Sequence, residues 1–239
     1  MAAAAPSDST STVSLRGKSQ TLHLYGSPNG APVVVTSGDG GWIHLGPDVA
    51  RFLASQGYSV FGFDAKAYLT SFTEGEKTLV PGDVPGDFKV VVEVARQGRN
   101  VKVPLVGVSE GAGLSVLAAS DPALQPLLAG VVGLGLPEVN ELGWRWRDQV
   151  IYITKKAPKE PTFNASDFVP RLGRLRLVAI QSTHDEFVAL EEVKKAVEPL
   201  TSARKLWLVE ATDHRFSGNT DEMHRRVLEA LEWFKTPES

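Results

Sequence analysis

The sequence predicts an α/β fold, with a mostly parallel central sheet covered by helices on both faces, and three observations carry that prediction. The strand-like runs are apolar throughout, as strands buried on both faces are, instead of alternating in and out. They are interleaved with stretches whose apolar residues recur at helical spacing. The chain has 239 residues, 42% of them hydrophobic, and shows no internal repeat or linker, so one full-sized domain is the economical reading.

In chain order, residues 1–14 (MAAAAPSDSTSTVS) are too poor in large apolar side chains to bury anything and are expected to form a mobile tail, leaving 15–239 as the domain. The tail lacks the basic start and apolar stretch of a signal peptide. Two origins stay open: a mature exported N-terminus carrying an added Met, which makes the protein periplasmic or secreted, or a cytoplasmic tail. Strands are then expected at Gln20–Tyr25, Pro32–Thr36, Ser59–Phe63, Val103–Val108, Gly130–Leu134, Leu175–Gln181 and Lys205–Val209. Helices are expected at Pro47–Gln56, stopped by Gly57, and at Asp83–Gln97, Gly111–Ser120, Glu191–Leu200 and Thr220–Phe234. In the last of these, Met223, Val227, Ala230, Leu231 and Phe234 share one face. Residues 64–76 read as a loop.

Composition removes several functions. Lys and Arg total 25 against 28 Asp and Glu, a net charge of -3, which offers no basic field to nucleic acid. No apolar run reaches the ~20 residues that cross a bilayer, although contact with a membrane surface stays open. Cysteine is absent, and with it disulfides, thiolate nucleophiles and thiolate metal sites. No His or carboxylate spacing suggests a metal and no dinucleotide fingerprint is present, so no cofactor is expected. Oligomeric state is not legible.

Chemistry concentrates at Gly107-Val108-Ser109-Glu110-Gly111, a G-x-S-x-G run placed where a buried strand ends and a helix begins. That strand–turn–helix context is what a nucleophile elbow requires: the serine sits in a strained conformation, and small flanking residues let neighbouring chain pass close. A serine hydroxyl is a weak nucleophile and needs a base oriented by a carboxylate, in chain order Ser, acid, His. Of the five histidines, His23 and His44 precede the serine and His224 falls on the solvent side of the last helix. His214 follows a buried strand in Ala211-Thr212-Asp213-His214-Arg215-Phe216, where a base reaches the carboxyl edge of the sheet. The acid should follow the preceding strand, in Ser182-Thr183-His184-Asp185-Glu186-Phe187-Val188. Asp185 is chosen over Glu186 because Asp-x-x-Val is the usual arrangement there; Glu186 is left as a rim or substrate contact and His184 as loop packing.

Ester hydrolysis also needs donors for the tetrahedral oxyanion. The backbone N–H of Glu110 supplies one, and the loop Gly38-Asp39-Gly40-Gly41-Trp42 supplies the other through Asp39, with Gly40 and Trp42 beside the substrate. The loop lacks the Lys-Ser/Thr that would complete a phosphate loop.

Ser37-Gly38-Asp39-Gly40-Gly41-Trp42, the elbow at Ser109, the Gln181–Val188 segment and Asp213-His214-Arg215-Phe216 together resemble the VirJ/AcvB family of bacterial virulence proteins, of the α/β-hydrolase superfamily, from about Pro32 to Phe234. The resemblance implies an α/β-hydrolase fold with Ser109, Asp185 and His214 as its triad. It further implies an exported protein linked to secretion of virulence factors and to hydrolysis of aminoacylated phosphatidylglycerol. One departure stands out: the serine is flanked by Val108 and Glu110 where the family often carries an aromatic pair.

Residues 139–169 lie where this fold inserts a lid. Trp144 and Trp146 could line an acyl site or pack a loop, and Lys155, Lys156 and Lys159 could meet an anionic head group or face solvent. The carboxylates of Asp39, Glu110 and Glu186, placed around one serine, would attract a cationic acyl group such as an aminoacyl ester. The expected partner is therefore a small-molecule or lipid ester. The alternatives are a general carboxylesterase and a non-catalytic secretion adaptor on the same fold.

Overall fold

The computed structural model describes residues 9–145 and 160–237. Eight strands form one sheet in the order β1 (Ser9–Leu15), β2 (Lys18–Tyr25), β4 (Tyr58–Phe63), β3 (Ala31–Thr36), β5 (Val103–Val108), β6 (Leu128–Leu134), β9 (Leu177–Ser182) and β10 (Arg204–Val209). From β4 to β10 all neighbours are parallel; β2 runs antiparallel to both β1 and β4. The expected α/β-hydrolase architecture is thus present. Its helices are α1 (Leu45–Ser55), α2 (Ala65–Ser71), α3 (Val84–Arg96), α4 (Glu110–Ala119), α5 (Ala165–Phe168), α6 (Leu190–Val197) and α7 (Thr220–Lys235).

Two apolar layers explain the unbroken hydrophobic strands. In β5, Val103 and Leu105 join Phe88 and Val91 of α3 and Leu114 of α4 on one face. Val106 and Val108 join Val49 and Leu53 of α1 and Val227 and Leu231 of α7 on the other. Most side chains, whichever way the pleat points them, leave water, so these strands are largely apolar, and polar residues such as Thr36, Ser59, Gln181 and Ser182 are buried with the rest.

The chain leaves β3 for β4 on one side and later returns to β5 on the other. The loops after β3 and β5 therefore separate, and a crevice opens between them at the carboxyl edge of the sheet. Such switch points are where open α/β sheets bind ligands. Here the two loops are Ser37–Trp42 and the turn at Ser109.

Residues 9–14 are not a tail but most of β1, paired with β2 from Ser9↔Leu24 to Leu15↔Lys18. An edge strand with one face on the core needs few apolar residues, and Val13 and Leu15 suffice for β1; Thr10, Thr12 and Ser14 occupy its exposed face. Residues 1–8 lie outside the described residues. Within 64–76 the chain forms α2, started by Asp64, whose carboxylate accepts the Ala67 N–H at 3.0 Å. Of the stretch expected to form a lid, the described part is a hairpin of β7 (Val139–Glu141) with β8 (Thr162–Asn164), followed by α5. Trp146, Lys155, Lys156 and Lys159 lie outside the described residues.

Candidate active site

The turn between β5 and α4 holds Ser109 at φ 49° and ψ -120°, left-handed backbone that an L-residue adopts only under constraint. The constraint is visible on both sides. The Ser109 N–H donates to the Leu134 carbonyl at 2.8 Å, tying the turn to β6. A Cβ on Gly107 would stand 2.4 Å from Ala112 Cα, and one on Gly111 would stand 2.3 Å from the Ser37 carbonyl oxygen. Only glycines let β5, α4 and the loop after β3 approach this closely, which is the physical content of the G-x-S-x-G pattern.

His214 and Asp185 meet at the ends of β10 and β9. The His214 Nδ1 lies 2.6 Å from Asp185 Oδ2, and the Asp185 side chain is 1% exposed. Asp185 Oδ1 accepts the N–H groups of Phe187 (2.9 Å) and Val188 (2.8 Å), and Oδ2 accepts Gln181 Nε2 (3.0 Å). The Asp-x-x-Val spacing is therefore the spacing of a carboxylate that bonds the backbone three residues on. Burial works to raise the Asp185 pKa, but the His214 bond and charge and the Val188 and Phe187 N–H groups outweigh it, leaving it below the usual value. An ionised Asp185 makes Nδ1 the donor and leaves the imidazole lone pair on Nε2, the form a general base needs.

Ser109 and His214 line one cavity of about 260 Å³. Its apolar wall is Ile43, Leu45, Val108 and Phe187; its polar groups are Asp39, His44 and Arg215. Gly38 and Gly40 also line it, so the glycine loop lies beside the serine as expected. Burial pushes the Asp39 carboxyl up, partly offset by His214, nearby backbone N–H groups and Lys66.

Three expected contacts differ. Trp42 is turned away from the cavity: its ring stacks on His23 at 4.8 Å, its Nε1 donates to Tyr25 Oη at 3.0 Å, and it fills the space where Gly62 has no side chain. Glu186 does not line the cavity either; its Oε2 accepts the His214 backbone N–H at 2.8 Å, so both acids of the pair serve the histidine, one its ring and one its main chain. Glu110 keeps its backbone at the start of α4, but its carboxyl points into the insertion stem, where Oε1 accepts the Glu141 N–H at 2.7 Å. Burial, with the negative charges of Asp39 and Glu141, drives the Glu110 carboxyl well above the usual range. Of the three carboxylates expected around the serine, Asp39 alone lines the cavity.

The remaining histidines sort by contact. His184 Nδ1 lies 3.0 Å from the Ala211 carbonyl and packs the loops after β9 and β10 together. His224 is not on the solvent side of α7: it stacks on Phe52 at 4.0 Å and bonds Asp48 at 2.9 Å, between α7 and α1. His44, set aside on chain order, lines the cavity at φ 56°, and nothing in the local sequence marks it. Trp144 is buried under Lys66, its backbone N–H donating to Thr73 Oγ1 at 3.0 Å, away from the cavity. No group of three or more His, Asp or Glu placed to hold a metal occurs among the described residues.

A parallel sheet, a serine on a strained strand-to-helix turn and a His–Asp pair on the last two strand ends define an α/β-hydrolase fold. Within that class, the family model of VirJ, a bacterial virulence protein, matches residues 31–130, a stretch that includes the glycine loop and Ser109 and ends before Asp185 and His214. No curated protein matches the chain by sequence. Among solved structures, the Pyrococcus furiosus esterase Pf2001 is similar at 19% identity with a TM-score of 0.69, covering 95% of this chain and 92% of its own. XC6422 from Xanthomonas campestris, a serine hydrolase without lid, is 20% identical with a TM-score of 0.62 and covers 97% of both chains. A membrane phospholipase A described as a novel bacterial virulence factor is 12% identical with a TM-score of 0.69, over 96% of this chain and 87% of its own.

Proposed function

We propose that the protein is a serine hydrolase that cleaves carboxylic esters through an acyl-enzyme. The observation that carries this reading is the 2.6 Å His214–Asp185 bond at the edge of the cavity that Ser109 enters from a strained turn. In this reading Ser109 Oγ attacks the ester carbonyl while His214 Nε2 takes its proton. The backbone N–H groups of Asp39 and Glu110 hold the oxyanion, and the imidazolium then protonates the leaving alcohol. Water repeats the sequence on the acyl-enzyme, returning Ser109 and releasing the acid. Asp185 stabilises the imidazolium throughout and keeps its own charge.

For the substrate we propose an aminoacyl phospholipid. The match to the VirJ family model supports it, as do two opposite charges on the cavity wall. Asp39 is suited to an ammonium beside the scissile carbonyl and Arg215 to a phosphate further along the alcohol. Ile43 and Phe187, 53% and 55% exposed at the same cavity, would face a lipid surface. The general carboxylesterase reading is favoured by the apolar wall, which accepts a plain acyl chain.

Labelling with a fluorophosphonate tests the chemistry: the wild type should be labelled and Ser109→Ala should not, and equal labelling of the two would refute a serine mechanism. Comparing kcat/KM on lysyl or alanyl esters of phosphatidylglycerol with neutral esters of equal size tests the substrate. Asp39→Asn should shrink the preference for the charged ester by about 1–3 kcal/mol; equal rates on both substrates would leave the general carboxylesterase.

A further inference from the structure

At the opposite edge of the sheet, where β3, β4, β5 and β6 begin, lies a second cavity of about 300 Å³, as large as the catalytic one. Strands of six residues at ~3.3 Å per residue put it ~20 Å from Ser109. Its apolar wall includes Tyr58 of β4 and Leu231 and Phe234 of α7, and three cations, Arg99, Lys102 and Lys235, line it with no carboxylate among the described lining residues.

The three cations differ in how far they are compensated. Lys235 Nζ is bonded to Glu232 at 2.6 Å. Arg99 has only neutral acceptors: Nε donates to the Arg96 carbonyl at 3.2 Å and Nη1 to the Gly30 carbonyl at 2.9 Å. Its Nη2 is buried with no acceptor at all. A donor left over on a buried charged group is uncommon in folded proteins, and here it leaves the Arg99 charge at the cavity wall without an anionic partner. Lys102, exposed at the same rim, makes no ion pair among the described residues.

We propose that this cavity is a binding site for a small amphipathic anion, an apolar body of several carbons bearing one carboxylate or phosphate. Its aromatic and aliphatic wall takes the body, whereas a bare inorganic anion would leave that wall wet. The Arg99 and Lys102 head groups take the charge, which a neutral apolar molecule would leave uncompensated. The site is independent of the ester-hydrolase reading, since it shares no residue with the catalytic cavity.

Calorimetric titration of the full chain with octanoate, with 1-octanol as the neutral probe, tests this. Octanoate should bind, and octanol at least tenfold more weakly. Arg99→Gln and Lys102→Glu should each weaken octanoate at least tenfold, and Lys102, being exposed, is replaced without risk to the fold. Arg215→Gln, in the catalytic cavity, should leave octanoate binding unchanged. The proposal is overturned if octanoate fails to bind, if its binding survives both Arg99→Gln and Lys102→Glu, or if Arg215→Gln removes it.

Discussion

Ser109 and His44 occupy almost the same rare backbone conformation, φ 49° and ψ -120° against φ 56° and ψ -116°, each as the residue before a helix and each on the wall of the same cavity. What surrounds them differs. The serine turn is locked by a bond to β6 and by contacts that admit no Cβ at Gly107 or Gly111. His44 is exposed on a loop crossing the edge of the sheet, and its side chain makes no capping bond to α1. Strain of this kind costs on the order of 1–3 kcal/mol and persists only where surroundings over-determine it. At Ser109 the core does so; at His44 the glycine loop and the start of α1 do.

Substitutions can break that comparison in order of expected effect. Ser109→Ala should lower kcat by up to ~10⁶-fold with the fold intact, measured by steady-state turnover and circular dichroism. Asp185→Asn should cost about 10⁴-fold by favouring the wrong imidazole tautomer, while Glu186→Gln, which keeps an acceptor for the His214 N–H, should be far milder; the reverse order would show the wrong acid was assigned. Gly111→Ala forces a Cβ against the Ser37 carbonyl and should destabilise by about 1–3 kcal/mol in denaturant unfolding. His44→Gly relieves a positive φ and should stabilise by up to about 1 kcal/mol. Its kinetic effect should fall on KM more than on kcat, because His44 touches the cavity and not the proton relay.

The two buried acids of the site should respond to pH with opposite signs. Asp185 is held below its ordinary value of 3.8, so its contribution to stability is present above that value and is lost as pH falls through the lowered one. Glu110 is raised well above 4.5, so stability linked to its neutral form is present below 4.5 and is lost as pH rises through the raised value. Unfolding free energy measured against pH should lose its acid limb in Asp185→Asn and its alkaline-going decline in Glu110→Gln.

The proposed catalytic groups were legible because each is a local pattern with a local cause. Gly107 and Gly111 announce a close crossing, Asp185-x-x-Val188 announces a carboxylate bonded to its own loop, and His214 follows the last strand. What escaped depends on side-chain direction or on distant partners. Whether Trp42 faces the cavity or Gly62 is decided by β2 and β4, and the Glu110 carboxyl is claimed by an N–H 31 residues away. The β1 strand escaped for another reason: an edge strand of Ser and Thr has almost the composition of a tail, and only its pairing with β2 distinguishes them.

The insertion after β6 is anchored at its base in two ways. The Glu141 N–H donates to the carboxyl of Glu110, the residue after Ser109, and the Leu142 N–H donates to the Pro161 carbonyl at 2.8 Å. The second bond brings the two ends of segment 143–160 together, but Trp144 just beyond it is buried in the core, so an exchange that leaves the core closed begins after Trp144. A cut that removes Glu141 also removes the partner of the carboxyl of Glu110, the residue whose own backbone N–H is the proposed oxyanion donor. Under the proposed mechanism, changes in the outer segment should therefore alter substrate choice, while changes in the hairpin beneath it should alter the rate of the chemical step.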